Sequence, residues 1–281
     1  MRLFTKKNVL NVVRALFAFF IFYFSTLFKY IPIYLFKLDV NVVNSNVKLA
    51  VLLALFSAIC VSFLLIVFYW KDLVKEFKKI KNNLLQCLDT GFACWVIGLF
   101  IMVAVNFILA YIFKSGGAKN ENAVQSLITA APLYMAIDVC ILAPFNEEMI
   151  FRKALRDLSV NKYIFIFLSF LIFGGAHVFG SATSLVDYLY IIPYGALGGM
   201  FAYAYTKTDS IFTTITFHML HNTVLFFMYL PFHDNRISGT QKSHYGCFVF
   251  FYGNKVVLFV KSYCVFIIGK NFHDYRIVIS E

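Results

Sequence analysis

Charged side chains are scarce in this sequence. Asp, Glu, Lys and Arg make up only 14% of its 281 residues, whereas 61% are hydrophobic and 19% are aromatic. Soluble domains carry roughly 25% charged residues, so this composition excludes an ordinary soluble domain. Residues 49–70 and 91–113 contain no charged side chain at all, and each run exceeds the roughly 20 residues that a helix needs to cross hydrocarbon. The composition therefore predicts an all-α polytopic membrane protein.

Several motifs that define other sites are also missing. The six cysteines show no Cys-x-x-Cys spacing, which argues against a disulfide framework and against a thiolate metal site. The chain has no His-Glu-x-x-His zinc motif. It also lacks the Gly-x-Ser-Gly of serine intramembrane proteases and the Gly-x-Gly-Asp of aspartyl ones. Any chemistry must therefore come from other polar residues inside the apolar runs.

Seven apolar segments are predicted to cross the membrane, and a poor eighth is an alternative. The seven are residues 8–28, 49–70, 91–113, 126–158, 163–186, 188–206 and 210–232. The N-terminus and alternate loops carry 13 Lys and Arg residues, against 5 in the loops between them. Because cytoplasmic loops are the more basic ones, we expect a bacterial plasma-membrane protein with a cytosolic N-terminus.

The net charge of +11 has the same origin. The basic residues lie between apolar runs, where they orient the protein and meet anionic lipid. The lipid bilayer is therefore an expected partner, and no nucleic-acid partner is predicted.

The chain divides into three predicted regions. Residues 1–125 form N-terminal spans with a basic cytosolic loop at 71–90, residues 126–232 form the core that carries the polar motifs, and residues 233–281 form an atypical tail. Within the loop, Lys71 to Lys81 suits either an amphipathic surface helix or a solvated loop. The sequence of the tail is compatible with three interpretations: a poor eighth span, an extramembrane segment, or a segment altered at gene level.

The first polar motif places two adjacent carboxylates and an arginine on an apolar helix. Glu148 and Arg152 are four residues apart, which favours an ion pair on one helix face. Glu147 points about 100° away from Glu148 and is a candidate general base in a cavity. Charges at bilayer depth are costly and usually functional. The alternative is a cytosolic helix end, where both carboxylates pair with Arg152 or Lys153 at the interface.

Two later segments supply histidines. If the chain turns at Asn161, His177 and Glu147 lie 16 and 14 residues from the turn, at similar depth, and Gly174 would let their helices approach closely. His218 and Asn222 share a helix face. In a straight helix, His218 would lie closer to the membrane surface than His177. Tilting of the helix or a cytosol-facing cavity must therefore bring the two side chains together.

These imidazoles and the amide have several chemical uses. A neutral His can orient water, bind a metal or hold a carbonyl, and Asn can donate to an oxyanion. His221 lies on a different face of the helix from His218 and Asn222. Of the two histidines, it is the better candidate for a structural role.

The three motifs in this order resemble those of the CPBP (Abi) family, which includes type II CAAX prenyl proteases and bacteriocin-processing or immunity proteins. They are Glu-Glu-x-x-x-Arg at 147–152, Phe-x-x-x-His at 173–177 and His-x-x-x-Asn at 218–222. The resemblance covers about 126–229. It implies an intramembrane endopeptidase acting on a membrane-embedded or lipid-anchored peptide. Its implied site comprises Glu147 as the activator of water, Glu148 and Arg152 in support, and His177, His218 and Asn222.

The resemblance leaves two questions open. The family is usually described as metalloproteases, which implies a divalent metal such as zinc, and a glutamate-dependent mechanism without a tightly bound metal is the alternative. A non-catalytic immunity, binding or transport protein could use the same buried polar groups, although no inverted repeat supports transport. Bacteriocin processing and self-immunity are the expected contexts.

The tail gives the first testable prediction. Lys255 and Lys261 interrupt its apolar run and would each cost roughly 2.5 to 3.5 kcal/mol at a bilayer centre, so we expect no stable span there. In a background without native cysteines, Ser280→Cys should then react with an impermeant thiol reagent from the same side as His233→Cys. Reaction of Ser280→Cys from the cytosol alone would establish an eighth span.

Overall fold

The computed structural model describes residues 6–113, 117–159, 161–230, 247–252, 255–260 and 263–267. Up to residue 230 the described chain is helical. The helices are α1 Lys6–Tyr23, α2 Tyr30–Leu35, α3 Val40–Ser45, α4 Val47–Asn82, α5 Leu84–Phe113, α6 Lys119–Ala130, α7 Pro132–Ile137, α8 Ala143–Glu148, α9 Leu155–Leu158, α10 Lys162–Val178, α11 Ile191–Thr208 and α12 Ile211–Tyr229. Short 3-10 turns, Ser25–Lys29 and Asp187–Tyr190, precede α2 and α11.

Several of these helices are long and apolar enough to cross a membrane. In the described part of the chain, α4, α5 and α12 meet both criteria, and Val9–Tyr23 with Ser25–Leu35 forms a fourth candidate if this pair, bent by 56°, counts as one span. α10 is a shorter apolar helix. These helices support an integral membrane protein, with three or four candidate spans in the residues described.

The structure shows the backbone at two of the sequence-based boundaries. The region 71–90, predicted as a basic cytosolic loop, is helical almost throughout, because α4 runs on to Asn82 and α5 begins at Leu84. Leu73 and Glu76 on this extension are buried, so one of its faces packs against the protein. In the segment predicted as a span from residue 126, α6 ends at Ala130, the backbone leaves helical geometry at Ala131, and α7 begins at Pro132. Proline suits the first helical turn.

From Pro132 to Leu158 the helical path is unbroken but not regular, and we call this stretch the 132–158 helix. Two π-helical segments, Asp138–Leu142 and Met149–Ala154, alternate with α7, α8 and α9. Within them the N–H of Ala143 bonds to the carbonyl of Asp138, and that of Leu155 to the carbonyl of Ile150, five residues back. Such π segments are frequent at functional sites, and here they flank the paired glutamates.

One buried core joins the elements that carry the predicted site. It contains Ala15 and Ala18 of α1, Leu65 and Tyr69 of α4, Met149, Ile150 and Phe151 of the 132–158 helix, Phe165 and Phe173 of α10, Ala202 of α11 and Ile211 and Ile215 of α12. The Ser169 hydroxyl on α10 donates to the Phe151 carbonyl over 2.9 Å. The polar residues are thus held by surrounding apolar packing.

Glycines bring α10 against α11. A Cβ on Gly174 would lie 2.4 Å from the Ile191 carbonyl oxygen, and one on Gly195 would lie 2.7 Å from that of Phe170. Small residues of this kind let membrane helices approach closely. The predicted close approach at Gly174 is therefore present, but its partner is α11 rather than the helix that carries Glu147.

The described part of the tail contains short strands. Three strands, β1 Cys247–Tyr252, β2 Lys255–Val260 and β3 Tyr263–Ile267, form an antiparallel sheet in the order β1-β2-β3. Val249 pairs with Leu258, which pairs in turn with Val265. These strands belong to a compact unit, Phe227–Glu281, that is separate from Met1–Phe226. The rest of the predicted tail region, including His233 and Ser280, lies outside the described residues.

The α10–α11 contact gives the second prediction. Gly174→Ala should destabilise the protein by about 1 to 3 kcal/mol, the usual cost of overpacking, because the new methyl group meets backbone atoms that cannot rotate away. Gly180→Ala is the matched control, since nothing lies within 4 Å of a Cβ there. Thermal unfolding of both variants in detergent measures the difference. Equal melting temperatures for the two would contradict the contact.

Candidate active site

Glu147 lies where two imidazoles converge. Its Oε2 atom is 3.9 Å from Nε2 of His177 and 3.6 Å from Nε2 of His218, and its side chain is 19% exposed. The same oxygen is buried and has no hydrogen-bond partner among the described residues. Buried polar atoms normally have partners, so this carboxylate is suited to bind a molecule rather than to hold the fold together.

Glu148 is held much more tightly than Glu147. Its Oε1 atom is 3.2 Å from Nη1 of Arg152 and 2.7 Å from Nδ1 of His218, and the side chains of Glu148 and Arg152 are both 0% exposed. The expected pair at i and i+4 is therefore present and fully buried. The contact between Glu148 and His218 was not expected, because the straight-helix estimate placed His218 at another depth.

Aromatic rings and a backbone carbonyl surround the arginine. The Arg152 guanidinium carbon lies 4.4 Å from the ring centroid of Phe173 and 5.7 Å from that of Phe201, and its Nη2 donates to the Gly198 carbonyl over 3.4 Å. Cations over aromatic faces gain energy when desolvated. Phe173 belongs to the Phe-x-x-x-His motif found in the sequence, although its contact with Arg152 was not predicted, whereas Phe201 and Gly198 give no signal in the sequence.

The partners of the two histidines define their proton positions. Nδ1 of His177 is 2.9 Å from the Phe173 carbonyl oxygen, which can only accept, so Nδ1 carries the proton. Nδ1 of His218 likewise donates to the Glu148 carboxylate. Both Nε2 atoms then face Glu147, at distances too long for direct hydrogen bonds and suitable for a bridging water.

A metal ion fits this arrangement poorly. Among the residues that the structure describes, no group of three or more His, Cys, Asp or Glu side chains is spaced to hold one. The Arg152 guanidinium beside Glu148 already supplies the local positive charge. The chemistry derived below therefore uses only the side chains and water.

The remaining predicted residues have structural partners. Asn222 donates through Nδ2 to the Val139 carbonyl over 2.9 Å, which joins α12 to the first π segment. His221 is buried and accepts from Nε1 of Trp95 over 3.3 Å, as suits its expected structural role. Tyr194, which the sequence did not indicate, stacks on His177 with ring centroids 4.7 Å apart.

A small cavity reaches His177 from the far end of α10. Lys119 and Asp187 are among its lining residues, and their side chains form an ion pair of 2.9 Å. The Lys119 ammonium and the backbone N–H groups of Thr183 and Ser184 hold the pKa of the Asp187 carboxyl below its usual range. The cavity's lining residues His177 and Val178 lie at the end of α10 opposite Lys162.

The buried ion pair gives the third prediction. Arg152→Ala should lower the free energy of unfolding by about 3 to 5 kcal/mol, because it leaves Glu148 buried without its cation. The yield of folded protein and the melting temperature in detergent measure this loss. Arg156→Ala is the control, as Arg156 is half-buried against the Phe165 ring and should cost less than about 1 kcal/mol. An unchanged melting temperature for Arg152→Ala would refute the pair's importance.

Comparison with known proteins identifies the same segment. Residues 129–224 match the family model described as "Type II CAAX prenyl endopeptidase Rce1-like", and this range contains all six predicted site residues. A Bacillus subtilis (strain 168) protein named "Putative membrane peptidase YdiL" is 33% identical over 142 residues, which are 49% of this chain and 54% of that protein. The chain thus spans about half the length of this relative. No solved structure matches. With the three motifs, these matches confirm the resemblance of residues 129–224 to intramembrane proteases of the CPBP family.

Proposed function

We propose that this protein is an intramembrane endopeptidase in which Glu147 activates a water molecule. The observation that carries the proposal is the buried, unpartnered Oε2 of Glu147 facing Nε2 of both His177 and His218. A carboxylate with this environment can act as a general base. The family match and the peptidase name of the relative support the reaction class.

The proposed reaction divides the labour between the two glutamates. A water bound between Glu147 and His177 gives a proton to Glu147 as its oxygen bonds to the scissile carbonyl carbon. Glu147 then passes this proton to the leaving nitrogen as the carbon–nitrogen bond breaks. Glu148 does not react, because its Oε1 atom is held by Arg152 and by Nδ1–H of His218 and its side chain is 0% exposed.

His218 has a separate role in this scheme. The carboxylate of Glu148 fixes the orientation of its ring, as the buried aspartate does in a Ser-His-Asp triad. Nε2 of His218, which carries no proton when Nδ1–H donates to Glu148, can accept a hydrogen bond from the attacking water and orient it. Asn222 supports this geometry through its bond to Val139.

The substrate, the biological context, the location and the number of spans are part of the same proposal. We propose a membrane-embedded or lipid-anchored peptide as substrate, bacteriocin processing or self-immunity as context, and the bacterial plasma membrane as location, with a cytosolic N-terminus. We further propose seven spans, since the 132–158 helix, α10 and α11 are apolar helices that pack with the longer candidates. The distribution of 13 against 5 basic residues supports the orientation.

The decisive variant is Glu147→Gln, and it gives the fourth prediction. Glutamine keeps the shape of the side chain but cannot accept the proton, so cleavage of a reporter peptide in vesicles should fall by far more than about tenfold, or about 1.4 kcal/mol of barrier, while membrane insertion and melting temperature change little. Asp39→Asn is the control, since Asp39 is exposed and caps α3, a role that asparagine fills equally well. Cleavage by Glu147→Gln within about tenfold of wild type would sink the mechanism.

Two further experiments test for a metal-dependent mechanism and for a non-catalytic function. Full activity after chelator treatment would support water activation by the carboxylate alone, and loss of activity that Zn²⁺ restores would support a metal. Immunity that persists in a cell expressing Glu147→Gln would favour a non-catalytic immunity or binding protein that uses the same buried groups.

A further inference from the structure

Glu76 is a buried carboxylate outside the segment that matches the family. It lies on the cytosolic extension of α4 and is only 7% exposed. Three donors satisfy it: Nζ of Lys153 over 3.0 Å and the Tyr205 hydroxyl over 3.1 Å reach Oε1, and the backbone N–H of Ile211 reaches Oε2 over 2.8 Å. Its carbonyl also accepts from the Ser210 hydroxyl over 3.1 Å. A buried charge with this many partners has a defined role.

Two of these donors belong to the helices that build the site. Lys153 follows Arg152 on the 132–158 helix, and Ile211 is the first residue of α12, which carries His218. The N–H groups of a first helical turn have no partner within their own helix, and a carboxylate there also complements the helix dipole. Each oxygen of Glu76 therefore holds one of the two site helices.

Only short helical segments separate the two contacts of Glu76 from the site residues. Glu148 is five residues from Lys153 and His218 is seven from Ile211, which at 1.5 Å per residue corresponds to about 8 Å and about 10 Å. Over such short rigid segments, a shift of α12 at Ile211 moves His218 by a similar amount. The 2.7 Å contact between His218 and Glu148 thus depends on how the two helix segments are held relative to each other.

We infer that Glu76 is a positioning residue of the active site, which sets the distance between His218 and the paired glutamates by holding α12 and the 132–158 helix on one carboxylate. The inference rests on the proposed function for its kinetic consequence, but its structural consequence is independent of catalysis. Glutamine cannot replace Glu76, because its amide nitrogen would face one of the donors.

Charge balance offers a rival explanation that can be tested. Glu76 belongs to a polar cluster with Asp72, Asp157, Lys153 and Arg14, which counts three anions and two cations. Suppose that Glu76 serves only to neutralise the charge of Lys153. The double variant Glu76→Gln/Lys153→Met leaves two anions and one cation, which is the same net charge as in the wild type, and it should then restore activity. If Glu76 positions the helices, this variant regains stability and keeps a low kcat.

The experiment compares kcat, KM and melting temperature for the full chain in lipid vesicles. We expect the double variant to melt near wild type, with kcat lowered by about tenfold or more and KM changed by less than about threefold. Tyr205→Phe is the matched control, because it removes a donor to the same carboxylate without releasing either site helix, and it should keep kcat within about twofold. A double variant with wild-type kcat would overturn the inference.

A second variant and a second measurement cover other outcomes. Glu76→Asp keeps the charge but is one methylene shorter, so it cannot reach both helices, and it should lower kcat even if the double variant fails to fold. The ¹⁵N resonances of the His218 imidazole should move in Glu76→Asp and stay in place in Tyr205→Phe. This spectroscopic result holds even if Glu147→Gln remains active and the proposed function fails. Unmoved His218 resonances in Glu76→Asp would overturn the inference on their own.

Discussion

The ion pair between Glu148 and Arg152 is the constraint on which the rest of the site depends. Both side chains are completely buried, and taking two charges out of water costs several kcal/mol each before their attraction offsets it. Other groups help to offset this cost, namely Nδ1–H of His218, the Gly198 carbonyl and the ring of Phe173. These groups lie on α12, α11 and α10, so the pair requires all three helices at once.

The packing of the helices follows from this requirement. α11 can offer the Gly198 carbonyl to Arg152 only if it lies close to α10, and a Cβ on Gly198 would lie 3.0 Å from the Ser169 carbonyl oxygen and from Cβ of Phe173. Glycine at this position permits the approach that the arginine needs. In this protein the small residues therefore serve the polar site as well as helix association.

The sequence predicts those parts of the site that depend on local helix geometry. The pairing of Glu148 with Arg152 follows from a spacing of four residues, and the meeting of Glu147 and His177 follows from their similar distances, 14 and 16 residues, to the turn at Asn161. The depth of His218 could not be obtained this way, because it depends on the packing of α12 against helices far away in sequence. In the structure its imidazole reaches both glutamates.

Other features give a misleading signal or none. Glu76 lies among five lysines in a segment that looks like a solvated basic loop, so its burial against Lys153 and Ile211 could not be read from its neighbours. The hydrogen bond from Asn222 is accepted by the Val139 carbonyl, which lies in a π-helical segment. No residue pattern in 138–142 predicts that backbone geometry. Strands in 247–267 were likewise not expected from a run that resembles a poor membrane span.

The π segment Met149–Ala154 has a consequence for the tolerance of the chain to changes in length. A π turn contains one residue more than an α turn, and this segment lies between the glutamates and the end of the helix that bears Asp157. Because the wide turn absorbs the extra residue, removal of one residue from this segment would restore regular α geometry without rotating Glu147 and Glu148 relative to Asp157. In a regular α-helix the same removal would rotate one side by about 100° relative to the other. The π segment is therefore a place where this helix can lose a residue while both glutamates still face the histidines.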